Sequence, residues 1–365
     1  MKKYFLSCFL YLQLHRVFQF LNRNKVIILM YHGFTNEENH VGVENYQGKH
    51  INIEIFRAQI KYITKNYNVI SLEQYINYCN KKEELPPKSI IITIDDGYKS
   101  NYTISFPIFK EFDIPATIFL TTDFIDNKKF LWVDRLEYAI NNTKKKNLKL
   151  EIANKKESFD LDTYNGKIVC DKSIRLKLKS LNNEIIDKFI QEVEDKLDAK
   201  LSGTLNVPAI YKPLEWDEIS EMINTSKVDI GSHTHKHLLL ANYDNEVIMN
   251  ELLLSNKIIQ KKTGVDTRLF CYPNGAVGDF NEKTKLAIKE SGYSCALTTV
   301  RGINNAISDL YELKRFGVDN TDLNSFILMI SGVRFFLSAI KKIRYSNMII
   351  LLMQLFPISL AGIHV

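Results

Sequence analysis

The chain has 365 residues, of which 45% are hydrophobic and 25% are charged, and its formal net charge is +6 at pH 7. This length and apolar content suffice to bury one large core, which excludes a mostly disordered chain. The positive charges are thinly spread, and their densest groups, at residues 144–146 and 341–342, lie outside the motif-bearing segments, so the charge does not indicate nucleic-acid binding. The 5 cysteines are odd in number and lack Cys-x-x-Cys spacing, which favours reduced thiols over disulfides.

Residues 1–22 form a distinct N-terminal segment. Met1 is followed by two lysines and then by an apolar run, which is typical of a short signal peptide. No small-residue cleavage site follows, and polar residues come next. The pattern therefore favours an uncleaved amphipathic helix, in a cytoplasmic or membrane-associated protein, over an export signal.

The middle of the chain alternates strand-like and helix-like segments. Short apolar runs that predict buried strands occur at residues 26–31, 89–94, 116–120 and 228–231. Residues 55–67 and 105–112 carry apolar side chains at helical spacing. This alternation predicts an α/β fold with a parallel sheet, most economically a (β/α) barrel whose chemistry lies on the loops after the strands.

The alternation of strand-like and helix-like segments is interrupted at about residues 137–205, which are rich in Lys, Asn, Glu and Asp. Helical periodicity at residues 185–197 predicts a helical insertion over or beside the cleft. We predict that the central domain, including this insertion, spans residues 23–320.

Residues 321–365 form the remaining segment. Their apolar blocks, at 326–330 and 348–353, are interleaved with Arg334, Lys341, Lys342 and Arg344. Neither block reaches the roughly 18 apolar residues that a membrane span needs. The pattern predicts interfacial helices in peripheral contact with a membrane, or helices packed into a core.

Two adjacent carboxylates, Asp95 and Asp96, follow a predicted strand, and Gly97 allows a sharp turn after them. Acidic residues after strands are common as helix caps. A metal hydrolase, however, needs such a pair, because one carboxylate binds the cation while the other accepts a proton from the attacking water.

Histidines cluster after another predicted strand, at His233, His235 and His237. Two imidazoles four residues apart and a carboxylate from a distant strand make a three-ligand set that leaves positions for water and substrate. The residue between them, His235, would point away from the pair, either toward residues that surround the metal ligands or toward solvent. The two clusters together predict a hydrolytic metal site.

The motifs Thr-Ile-Asp-Asp-Gly at residues 93–97 and Ser-His-Thr-x-x-His at residues 232–237 are specific when they occur in this order. Supporting similarity lies at residues 114–120, 214–218 and 272–275. With these motifs the chain resembles, over about residues 26–320, the polysaccharide deacetylases, a carbohydrate esterase family that acts on chitin, chito-oligosaccharides and peptidoglycan.

That resemblance implies a distorted, incomplete (β/α) barrel. It also implies that Asp96, His233 and His237 bind the metal and that Asp95 is the general base. The cation is expected to be zinc, and cobalt, nickel or manganese suit the same ligands.

Two features depart from the common family pattern. No histidine lies between His237 and His364, where many members carry a general acid, so His32 is the candidate acid, as in the circularly permuted subset that resembles poly-N-acetylglucosamine deacetylases. Where the family often has an arginine that orients the base, this chain has Cys271. Either Arg315 or Arg268 could supply that charge.

The expected activity is removal of N-acetyl groups from an N-acetylglucosamine-type glycan in cell-envelope or exopolysaccharide metabolism. The metal and a backbone N–H near Asn274, in the segment with Tyr272 and Pro273, would stabilise the oxyanion. Trp216 is the candidate substrate platform, and Trp132 is the other tryptophan. The alternatives are an O-acetyl esterase with the same site and a catalytically silent carbohydrate-binding barrel.

Overall fold

The computed structural model describes residues 10–152, 155–179, 181–202 and 204–333. A parallel sheet lies at its centre. The strands are, in chain order, β1 (Ile27–Tyr31), β2 (Gly33–Thr35), β3 (His50–Asn52), β4 (Asn68–Val69), β5 (Ser89–Ile94), β6 (Ala116–Leu120), β7 (Asn147–Ile152), β8 (Lys155–Asp160), β9 (Val228–Ser232), β10 (Leu269–Cys271), β11 (Cys295–Leu297) and β12 (Phe316–Gly317).

The main sheet has the strand order β11-β10-β9-β6-β5-β1-β12, and β4 also pairs with β5. Neighbouring strands are parallel, as in the pairs β1 with β5 and β6 with β9. Every residue of β5 and of β6 is buried, as expected of strands covered on both faces. The sheet is an open half-barrel, which confirms the predicted distorted, incomplete (β/α) barrel. The strands predicted at residues 89–94 and 116–120 are β5 and β6.

Helices connect and cover these strands. They are α1 (Leu14–Leu21), α2 (Ile53–Asn66), α3 (Leu72–Cys79), α4 (Phe106–Phe112), α5 (Thr122–Asp126), α6 (Trp132–Asn142), α7 (Tyr164–Leu178), α8 (Asn183–Leu197), α9 (Trp216–Asn224), α10 (Asn245–Thr263), α11 (Glu282–Glu290) and α12 (Leu323–Ile330). Local sequence sets their ends. The side chain of Asp244, for example, accepts a hydrogen bond from the N–H of Val247 at the start of α10, and Gly264 ends that helix with a φ of 78°.

The helical insertion also contains a β-hairpin, which the sequence analysis did not anticipate. β7 and β8 pair antiparallel, and the buried residues of β7 alternate with exposed ones. The helix expected near residues 185–197 is α8. The hairpin, α7 and α8 share one buried cluster with α6, which includes Leu136, Leu150, Ile174 and Ile190.

The chain divides into two compact units, Asn24–Thr321 and a second unit whose described residues are 10–23 and 322–333. In the second unit, Phe18 of α1 packs with Leu328 of α12 and with Val333. The N-terminal residues 1–9 and the basic and apolar tail from Arg334 to Val365 lie outside the described residues. Among the described helices, none combines the length and the apolar character needed to span a bilayer.

Candidate metal centre

The two sequence motifs meet at the carboxyl edge of the sheet. The N–H of Asp95 donates to the Tyr31 carbonyl at 2.9 Å, so the pairing of β1 with β5 continues to the first carboxylate. The N–H of His233 donates to the Leu120 carbonyl at 2.9 Å, and β6 lies between β5 and β9. The carboxylates after β5 and the histidines after β9 therefore lie at the same edge, on the two sides of β6, as predicted for a parallel sheet.

The backbone at this edge is strained. Asp96 and His237 have φ values of 77° and 56°, in the left-handed region that residues with a Cβ avoid. Gly97 has a φ of 91°, and a Cβ there would lie 2.9 Å from Cδ1 of Ile125. Strained conformations of this kind persist where the surrounding structure enforces them, and they concentrate at functional sites.

Asp96, His233 and His237 form a group with the composition of a metal site. Their candidate ligand atoms all lie within 4.8 Å of one another. The Nε2 atoms of His233 and His237 are 3.6 and 3.5 Å from Oδ1 of Asp96, which is beyond hydrogen-bond distance. That oxygen is buried and has no hydrogen-bond partner among the described residues. A buried carboxylate oxygen without a donor is costly, and a cation between the three side chains would satisfy it. The residues present therefore fit a divalent metal.

The state of the histidines also suits metal binding. Nδ1 of His233 lies 2.8 Å from the Cys271 carbonyl, an acceptor, so Nδ1 carries the proton and Nε2 is left with a free lone pair. Burial lowers the pKa of His233 to about 4 and that of His237 to about 4. Both imidazoles are therefore neutral near pH 7, the form that binds metals.

Asp95 is bound by Arg315. Two hydrogen bonds, Nη1 to Oδ1 at 2.8 Å and Nη2 to Oδ2 at 2.7 Å, join the fully buried guanidinium to the carboxylate. Burial alone would raise the pKa of Asp95, but the charge and hydrogen bonds of Arg315 hold it well below its usual range. Of the two arginines considered from the sequence, Arg315 makes this contact, whereas Arg268 is exposed.

The guanidinium of Arg315 has further contacts besides Asp95. Its Nε donates to the Thr298 carbonyl at 2.8 Å, and its Nη1 donates to Oγ1 of Thr93 at 3.1 Å. Its Nη2 lies 2.9 Å from the sulfur of Cys271, which is itself 3.6 Å from Oδ2 of Asp95. Burial raises the pKa of Cys271, so it is a neutral thiol. Cys271 therefore contacts both members of the pair, a role that the sequence analysis did not assign to it.

His32 lies between β1 and β2 and is half-buried. Its carbonyl accepts a hydrogen bond from Nδ2 of Asn101 at 2.7 Å. His32 directly follows β1, and β1 pairs with β5, the strand that precedes Asp95. His32 therefore shares the carboxyl edge of the sheet with the other candidate residues.

His235 is directed away from the group. Its Nδ1 lies 2.9 Å from Oγ1 of Thr122, and its Nε2 lies 3.9 Å from Oδ1 of Asp123. The imidazole thus faces α5. The chain turns between the two proposed ligands, since Thr234 has a φ of 63°.

The candidate substrate residues are dispersed. The side chain of Tyr272 is buried, stacks on Phe280 with ring centroids 4.7 Å apart and donates to the Tyr311 carbonyl at 3.1 Å. After it, Pro273 is buried and Asn274 adopts a φ of 56° in the turn that follows β10.

The two tryptophans have different surroundings. The indole of Trp216 donates to Oδ1 of Asp126 at 3.0 Å. Trp132 lines a cavity of about 110 Å³ that His237 also borders. In the sequence, Trp132 stands out only as one of the two tryptophans, because no motif surrounds it.

Comparisons with known proteins identify the family of this chain. A family model described as "Polysaccharide deacetylase" matches residues 82–296. "Putative polysaccharide deacetylase YxkH" of Bacillus subtilis is 27% identical over 114 residues, which are 31% of this chain and 38% of that protein. "Poly-beta-1,6-N-acetyl-D-glucosamine N-deacetylase" of Staphylococcus epidermidis is 30% identical over 89 residues, which are 24% and 29% of the two chains. The chain thus spans well under half of these relatives.

Solved structures share the fold. The "Streptococcus pyogenes deacetylase PplD in complex with acetate" superposes with a TM-score of 0.55 at 17% identity, covering 84% of this chain and 98% of that one. IcaB from Ammonifex degensii superposes with a TM-score of 0.53 at 14% identity, covering 84% and 97%. Since the family model matches more than half of the chain, and the motif residues that carry the resemblance lie together at one edge of the expected half-barrel, this chain belongs to the polysaccharide deacetylase family.

Proposed function

We propose that this protein is a metal-dependent hydrolase that removes N-acetyl groups from a glycan of the N-acetylglucosamine type, in cell-envelope or exopolysaccharide metabolism. One observation carries the proposal. An ionised carboxylate, Asp95, lies beside a three-residue ligand set whose carboxylate oxygen, Oδ1 of Asp96, is buried without a partner. A binding module has no use for an ionised base next to a metal. The names of the relatives from Bacillus and Staphylococcus support the choice of substrate class.

Asp96, His233 and His237 would hold the cation, which we expect to be zinc. When bound there, a divalent cation supplies Lewis-acid polarisation of the acetyl carbonyl and lowers the pKa of water. Cobalt, nickel and manganese accept the same nitrogen and oxygen ligands.

Asp95 would accept the proton of the attacking water. Its carboxylate must be ionised and correctly oriented for this step, and the two hydrogen bonds from Arg315 favour both conditions. Arg315 would therefore be a positioning residue that acts through Asp95. Cys271 would complete the buried environment of the pair.

His32 would donate a proton to the departing nitrogen. The C–N bond then breaks with the amine as a neutral leaving group, and the products are acetate and a free amino sugar. A backbone N–H in the turn that contains Tyr272, Pro273 and Asn274 would contribute to stabilising the oxyanion.

Acetate release from an N-acetylglucosamine oligomer, measured with and without a chelator, tests this function. We expect release that stops with the chelator and returns when zinc is added. Release only from an O-acetylated glycan would favour the ester alternative. Chelator-sensitive binding without release from either substrate would favour the silent barrel.

A further inference from the structure

Two adjoining cavities lie between the start of α6 and α8 of the insertion. The first, of about 110 Å³, is bordered by His237. The second, of about 290 Å³, shares Lys129, Phe130 and Asp187 with the first and continues to Glu194. Each is several times larger than the roughly 10–15 Å³ that one water molecule needs by the same measure. Together they form a groove, here called the insertion groove, that begins at a proposed metal ligand and follows α8.

The insertion is tied to the segment that carries the histidines. Nδ2 of Asn183 donates to the Lys236 carbonyl at 3.0 Å, and the N–H of Asn183 donates to the Tyr243 hydroxyl at 2.6 Å. Lys236 immediately precedes His237 in the chain. The first turn of α8 is therefore held in a defined position relative to the proposed metal centre.

Ion pairs fix α8 against α6. The guanidinium of Arg135 contacts Glu194 through Nε at 3.1 Å and through Nη2 at 2.5 Å, and it also contacts Asp187. Lys129 lies 3.3 Å from Asp187. A wall that is ordered before the ligand arrives avoids part of the entropy cost of binding.

The lining suits a sugar chain. Phe130 and Trp132 supply aromatic surface in the first cavity, and Asn183 and Asp187 supply hydrogen-bonding groups. A pyranose ring has an apolar face that packs on aromatic rings and hydroxyls that bind carboxylates and amides, and small-molecule sites combine these two kinds of surface.

We infer that the insertion groove binds the sugar residues that flank the one being deacetylated, with Trp132 as its aromatic platform. The inference rests on the proposed function, because it assumes that the acetylated sugar lies at His237. It adds that the insertion makes this protein select chains over single sugars.

Tryptophan fluorescence can test the platform directly, because the chain has only 2 tryptophans. The Trp216→Phe protein retains Trp132, and the Trp132→Phe protein retains Trp216. Full-length protein freed of metal with a chelator is titrated with an N-acetylglucosamine tetramer and with the monosaccharide, so that no turnover occurs.

We expect a saturable change in the Trp216→Phe protein, with the tetramer bound at least about tenfold more tightly than the monosaccharide. The Trp132→Phe protein should show no change. A response confined to the Trp132→Phe protein would overturn the inference and place the platform at Trp216.

A second test avoids Trp132, which also packs against the buried cluster of the insertion. Lys200 lines the second cavity, whereas Lys196 does not. The two side chains are 44% and 43% exposed, and each pairs with an acidic residue of α8, Asp195 or Glu192. Lys196→Ala is therefore a matched control for Lys200→Ala.

The quantity to measure is kcat/KM on the tetramer divided by kcat/KM on an activated acetyl ester. We expect Lys200→Ala to lower this ratio about fivefold, as loss of roughly 1 kcal/mol of chain binding would, and Lys196→Ala to leave it unchanged. An unchanged ratio in Lys200→Ala, together with no signal from Trp132, would overturn the inference while leaving the deacetylase proposal intact. A native protein that cleaves the ester but never the tetramer would instead contradict the proposed function, and the inference would fail with it.

Discussion

The guanidinium of Arg315 and the carboxylate of Asp95 are 220 residues apart in sequence and form two parallel hydrogen bonds of 2.8 and 2.7 Å. A fork of this kind fixes the orientation of a carboxylate as well as its charge. The general base proposed for this protein is thus defined by its partner as much as by its own position.

Arg315→Lys should shift the pH dependence of the reaction. In the native protein the pKa of Asp95 is held well below its usual range, so the base is ionised across the ordinary assay range. A lysine cannot form both hydrogen bonds with Asp95. The effect of burial on Asp95 is then less well offset, so the pKa of Asp95 rises. The rate should therefore decline on the acidic side at a higher pH than in the native protein, with metal content unchanged.

The profile of kcat/KM against pH measures this shift, and Arg268→Lys serves as the control because Arg268 is exposed. Superimposable acidic limbs in the native and Arg315→Lys proteins would show that Arg315 does not act through Asp95.

Alanine at Asp96, His233 or His237 should remove the cation and abolish turnover, because each residue is one of the three proposed protein ligands. Metal content after dialysis and acetate release are the two measurements. His235→Ala is the matched control in the same segment, since its imidazole contacts Thr122 instead, and it should retain metal. Stoichiometric metal in the His233→Ala protein would refute the ligand assignment.

Asp95→Asn should retain metal and lose activity by roughly 10² to 10⁴-fold, because the amide fills the same volume but accepts no proton from water. Metal content and kcat are measured on the same preparation. A metal-loaded Asp95→Asn protein with native rates would rule out the division of roles between Asp95 and Asp96.

His32→Ala should lose far more activity on N-acetylglucosamine oligomers than on an activated acetyl ester. The amide nitrogen must be protonated before it leaves, whereas the alcohol of an activated ester is a good leaving group without help. Metal content should not change. Equal losses on both substrates would exclude His32 as the acid.

Much of the site could be predicted from sequence because its parts are local. The run at residues 89–94 predicts a buried strand, and a carboxylate pair directly after it must lie at the carboxyl edge. The same argument places His233 beside that pair. The Ser-His-Thr-x-x-His motif, through the resemblance to the family, then distinguishes His237 from His235.

The remaining parts depend on contacts that no local pattern encodes. Arg315 is one of two candidates in the sequence, because the residues next to it in the chain do not show that its side chain binds Asp95. Tyr272 was grouped with substrate residues by its motif, yet its ring packs on Phe280. The hairpin of β7 and β8 was missed, although Leu148, Leu150 and Ile152 alternate with charged residues at the period of a strand.

The backbone conformations of Asp96 and His237 lower the stability of the fold, although both side chains are needed for the proposed activity. Each residue adopts a positive φ that disfavours the native state by on the order of 1 kcal/mol relative to glycine. Glycine at either position would relax the chain and remove a proposed ligand at the same time. Selection for heat resistance alone would therefore favour changes that remove a proposed ligand, and laboratory evolution of this protein has to impose turnover in every round.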